Sequence, residues 1–153
     1  MAAWIVITTS DLNDYLAGAQ VNALRTAALA SGQADPFGAV MPAVAARVRA
    51  EVQGCKTNQI SATANSVPPA LKRETCMLIL EAMQTRIPTL KLTEDQQRQI
   101  ERAYAYLERV AKCDVPIDQP NDPLSPSNVQ KGGDAELVTK TDRTSTRAKL
   151  DGL

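Results

Sequence analysis

Residues 93–111 read TEDQQRQIERAYAYLERVA, and this stretch decides the fold class. Ile100, Ala103, Tyr104, Leu107, Val110 and Ala111 recur at steps of three and four, which puts them on one stripe of an α-helix. Gln97, Arg98, Glu101, Arg102, Glu108 and Arg109 take the charged outer side. Thr93, with Gln96 three positions on, forms a capping box that satisfies donors at the helix start. Such a helix needs other apolar faces to bury its stripe.

The preceding residues supply those faces. Val67-Pro68-Pro69 opens a helix with Leu71, Thr75, Leu78, Ile79 and Ala82 on one side, while Cys76, Met77, Leu80 and Met83 make most other sides apolar too. A helix apolar nearly all round belongs at the centre, in a domain core or a subunit interface. Arg86-Ile87-Pro88 ends it.

Asp35-Pro36 starts an earlier helix, an N-cap followed by proline, with Val40, Met41, Val44, Val48 and Val52 at helical spacing. Pro42 is expected to kink its first turns, and Gly54 stops it. Lys56 to Ser66 is a polar loop, long for a compact domain, and long loops often carry contacts. Ala19 to Ser31 forms a helix with Val21, Leu24 and Ala28 on its stripe, ended by Gly32. Thr8 and Asp11 cap a short first helix whose apolar side is Leu12, Tyr15 and Leu16, broken at Gly18. The expectation is all-α: a compact bundle of about five helices.

After Asp114 the patterning stops. Pro116, Pro120, Pro123 and Pro126 make a semi-rigid spacer, and Lys131-Gly132-Gly133-Asp134 is a flexible joint. From Ala135 on, Lys140, Arg143, Arg147 and Lys149 outnumber Glu136, Asp142 and Asp151, and Leu137, Val138, Leu150 and Leu153 stand isolated. So little apolar surface does not offset an ordering cost of roughly 1–2 kcal/mol per residue. The division expected is a helical domain at 1–114 and a Pro-rich linker with an extended C-terminal arm at 115–153, the arm's apolar residues anchoring in a partner.

Composition narrows the function classes. Lysine plus arginine number 17, as do aspartate plus glutamate, so no basic excess marks a general nucleic-acid or membrane binder. There is no histidine, which removes His-based triads and acid–base catalysis. Cys55, Cys76 and Cys113 include no CxxC pair and read as reduced, buried thiols of a cytosolic product. No apolar run reaches membrane-spanning length, and Met1–Thr9 lacks the pattern of a secretory signal.

Asp11 with Asp14, and Glu94 with Asp95, sit in first helical turns, where the dipole favours negative charge. Nucleotide-loop and serine-hydrolase motifs are missing. The sequence therefore predicts no catalytic residue, no cofactor, no metal and no enzyme. Arg98, Arg102 and Arg109 read as a solvated or interfacial face with intrahelical pairs. Trp4 reads as a core plug, or in an oligomer as the filler of a neighbour's pocket.

The order of elements resembles the small helical head–tail connector (adaptor or neck) proteins of tailed bacteriophages, with Mu-like and lambda-like members. The resemblance spans about residues 5–112. It rests on the capped start Ile7-Thr8-Thr9-Ser10-Asp11-Leu12, a Gly-ended second helix and Asp35-Pro36 before Val44-Ala45-Ala46-Arg47-Val48-Arg49. A polar loop, Val67-Pro68-Pro69-Ala70-Leu71, an apolar helix and a final amphipathic helix complete it.

The resemblance implies a homo-oligomeric ring, roughly twelve subunits with heterologous contacts, in the virion neck at the portal vertex. The protein would be made in the host cytoplasm, dock on the portal after DNA packaging, and join it to the next neck or tail protein. DNA would pass through without sequence-specific contact, and no membrane is involved. The arm residues expected to bind the portal or another partner are Leu137, Val138, Lys140, Arg143, Arg147, Lys149, Leu150 and Leu153. The expected subunit interface comprises Trp4, Arg47, Arg49, Met77, Leu80 and Met83. The competing reading is a small helical regulatory or nucleic-acid-binding module that uses the basic C-terminal tip.

Overall fold

The computed structural model describes residues 2–27, 32–85 and 91–124. Their order is β1 (Ile5–Val6), α1 (Thr9–Asn13), α2 (Gly18–Thr26), α3 (Phe37–Gly54), β2 (Ser66–Val67), a 3-10 turn (Pro69–Leu71), α4 (Lys72–Gln84) and α5 (Glu94–Ala111). The architecture is all-α, a five-helix bundle in which α3, α4 and α5 pack on one another and α2 adds to α4. The two short strands form a single antiparallel ladder, Ile5 opposite Val67 and Val6 opposite Ser66.

Local chemistry sets the helix starts. At α5, Gln96 N–H donates to Thr93 Oγ1 at 3.2 Å and Thr93 N–H donates to Gln96 Oε1 at 3.0 Å, the reciprocal pair expected of a capping box. At α1, the Asp11 carboxylate accepts from Thr8 N–H at 2.7 Å. At α3, Asp35 Oδ1 accepts the Phe37 N–H at 2.9 Å. Pro42 lies within α3, and the helix runs through it to Gly54, since at the sixth position it forfeits only an early bond. Gly18 opens α2 rather than merely breaking α1.

The core draws Leu12, Val21, Leu24, Val48, Val52, Leu71, Ile79, Leu80, Met83, Leu107 and Val110 into one cluster. Here the expected subunit interface is corrected. Met77, Leu80 and Met83 are 2%, 0% and 0% exposed, and Trp4 is 8% exposed, so this chain's own elements already cover them. The apolar sides of α4 are used up because α3, α5 and α2 each pack against it.

The expected boundary after residue 114 is also revised. The chain does not leave the body there: Ile117 is buried, Ala2 bridges Pro120, and Ser61 bridges Pro123. Extended backbone at 117–124 finds partners in two other extended segments, so prolines that rule out helix do not rule out docking. Pro126 and the arm residues Leu137, Val138, Lys140, Arg143, Arg147, Lys149, Leu150 and Leu153 lie outside the described residues, as do Ala28 to Ser31 and Arg86 to Pro88.

The cysteine expectation is overturned at two of three positions. Cys55 and Cys113 form a disulfide, with Cα atoms 5.1 Å apart across a sequence separation of 58. The close approach follows from the ends of α3 and α5 meeting: a Cβ on Gly54 would lie 3.2 Å from the Ala111 Cβ. Cys76 remains a free, buried thiol.

Candidate functional site

The polar loop between α3 and β2 and the returning segment 117–124 build the densest polar constellation among the described residues. Three extended strands of chain meet there. Ala2 N–H donates to Gln119 O at 2.9 Å and Asn121 N–H to Ala2 O at 3.1 Å. On the other side, Ala62 N–H donates to Asp122 O at 2.7 Å and Leu124 N–H to Ile60 O at 2.6 Å. Gln119 extends the seam by accepting the Gln59 N–H at 2.7 Å.

Two charged side chains hold the loop in shape. Asp122 accepts from Ser61 Oγ at 2.8 Å, Thr63 Oγ1 at 2.7 Å and Thr63 N–H at 3.2 Å. Those bonds from Thr63 and Ser61 favour the carboxylate and lower its pKa. Arg49, projecting from α3, donates to the carbonyls of Ser61 (2.7 Å), Thr63 (3.0 Å) and Ser66 (3.0 Å). Burial pushes the guanidinium's pKa down, and the charge of Asp122 opposes the shift. The Trp4 ring lies 5.7 Å from the Arg49 guanidinium, and its indole N–H donates to Asp118 O at 3.3 Å. Trp4 and Arg49, expected at a subunit interface, instead tie the N-terminus, loop and return together.

The remaining candidates separate. Arg47 is exposed, its guanidinium 4.7 Å from the Tyr104 ring centroid, and the Tyr104 hydroxyl donates to Glu81. Lys72 spans Asp11 at 2.7 Å and Asp14 at 2.8 Å, tying the short first helix to α4. Burial raises the pKa of Asp11, but hydrogen bonds from Lys72 and Thr8 outweigh it and the net shift is downward. Arg98 faces Glu94 and Asp95 at 3.7 Å each. Burial pushes the Cys76 thiol up to about 12, which keeps it protonated near neutrality.

A separate cleft of about 160 Å³ lies between α4 and α5, where α4 gives Arg73, Glu74 and Met77 and α5 gives Gln99, Arg102 and Tyr106. Glu74 Oε2 is buried there without a hydrogen-bond partner. Sequence reasoning named Arg102 and Met77 but not the cleft, because it forms only when α4 and α5 are docked. Ser61, Thr63, Ser66 and Asp122 were equally invisible: the carboxylate meets its partners across about 60 residues. The one available signal was the loop's unusual length.

Among the described residues, no group of three His, Cys, Asp or Glu side chains is placed to hold a metal, and no helix is long and apolar enough to cross a membrane. Comparison with protein-family models, curated proteins and solved structures returns no match.

Proposed function

We propose that this chain is a structural adaptor of the head–tail connector kind, a ring-forming body in the neck of a tailed-phage virion that docks on the portal and joins it to the next neck or tail protein. The observation that carries the reading is the seam at 117–124. It closes a self-contained helical body and fixes Leu124 to Ile60, so the polar residues beyond Leu124 start from a defined point on that body.

A short-range network of this kind suits attachment better than chemistry. The Arg49 and Asp122 charges are spent on backbone carbonyls and loop hydroxyls, and the Ser61 hydroxyl that donates to Asp122 is fully buried, out of reach of a substrate.

The test is to mix the tagged full chain with the portal protein of the genome that encodes it, and separately with duplex DNA over a range of salt. An adaptor co-purifies with the portal as an oligomer and binds DNA weakly at every salt. Failure to hold the portal, together with DNA affinity that falls steeply as salt rises, would overturn the reading in favour of the nucleic-acid-binding module.

A further inference from the structure

The α4–α5 cleft carries three unspent polar groups. Arg73 and Arg102 are exposed and make no ion pair or hydrogen bond with another described residue. Glu74 Oε2 is buried beside them without a partner. An orphaned buried carboxylate oxygen costs free energy unless something donates to it. Met77 and Ala103, 2% and 4% exposed, give the same cleft an apolar floor.

Its volume of about 160 Å³ is that of a cavity that holds one benzene-sized group. The matching ligand is an extended peptide with carboxylates for the two guanidiniums, an N–H for Glu74 and one small aliphatic side chain. A lysine-rich peptide does not fit, since two cations already line the rim.

The chain contains such a peptide. Asp134-Ala135-Glu136-Leu137-Val138 places Asp134, Glu136 and Val138 on one face when extended, because alternate residues point the same way. The ten residues from Leu124 to Asp134 span up to about 33 Å, comparable with the diameter of a small domain. We propose that this cleft is the docking site of the Asp134–Val138 segment, with Asp134 and Glu136 on Arg73 and Arg102, and Val138 over Met77 and Ala103.

The occupant is the chain's own segment, within reach by the span from Leu124, so its protection is independent of protein concentration and the pairing does not rest on the connector reading. It reassigns Val138 from an outside partner to this protein, and leaves Leu137 and the residues from Lys140 to Lys149 for another contact.

Hydrogen exchange on the full chain tests it. Amides of residues 134–138 should exchange at least about tenfold more slowly than those of 143–149. Arg102→Glu should abolish that difference, and adding Glu136→Arg to it should restore much of it by reversing the charge pair. Exchange around Leu107 reports that α5 is still folded, and Arg73→Glu is the second variant if Arg102→Glu disturbs it. Exchange at the unstructured rate in the unmodified chain overturns the proposal. So does protection that Arg102→Glu and Arg73→Glu both leave intact. Neither result bears on portal binding, so the two readings fail separately.

Discussion

Arg49 shows how much one side chain organises. Its guanidinium meets three backbone carbonyls of the loop and sits against Trp4. A planar fork of donors is needed to reach all three, and the point charge of lysine does not supply it. Arg49→Ala should therefore cost about 2–3 kcal/mol in urea unfolding, and Arg49→Lys should recover little of it; full recovery by lysine would show that charge alone matters.

Asp122 gives the same junction a pH response. Its folded pKa lies below the ordinary 3.8, so its contribution is complete above that value and fades as pH falls through the lowered one. The protection factor of the Thr63 amide, its exchange relative to an unstructured amide at the same pH, should hold down to about pH 4 and fall below it. An Asp122→Asn variant should lose that acid dependence. Neither residue's role was legible from sequence, because each acts on loop groups that local patterning leaves blank.

At the scale of elements, the sequence was readable wherever apolar spacing or a cap was local. The α5 stripe and the Thr93–Gln96 box stand as expected, and so does the all-round burial of α4. Spacing does not decide whether a central helix is buried by its own chain or by a neighbour. Leu80, fully buried here, shows that its own chain does it. Leu80→Ala should destabilise the isolated protein by about 2–5 kcal/mol, measured at a concentration where it is monomeric; a change confined to subunit association would return Leu80 to an interface.

The disulfide belongs to the same scale, since it joins the ends of α3 and α5. No spacing rule pairs cysteines 58 positions apart. Closing a loop of that length restricts the unfolded chain by an amount worth about 4 kcal/mol. Reduction, or Cys55→Ser with Cys113→Ser, should lower the unfolding free energy by about 2–4 kcal/mol. After reduction, iodoacetamide should label the exposed Cys113 in the folded state, while the buried Cys55 and Cys76 stay unmodified until unfolding.

For the whole molecule, the junction expected after residue 114 is misplaced, because residues 117–124 are paired with the body. Prolines at 116, 120 and 123 were read as a departure from the body, yet their neighbours supply the backbone groups that pair with Ala2, Ile60 and Ala62. Extended chain without apolar periodicity carries no local sign that it will be paired. The body closes on itself near Leu124, and the proposal gives attachment to the portal to the residues beyond that point. The most direct measurement is portal retention by a chain ended after Leu124, compared with the full chain. The account predicts that the shortened chain stays folded, with α5 amides such as that of Leu107 still protected, and loses the portal. A shortened chain that holds the portal as well as the full one would contradict it.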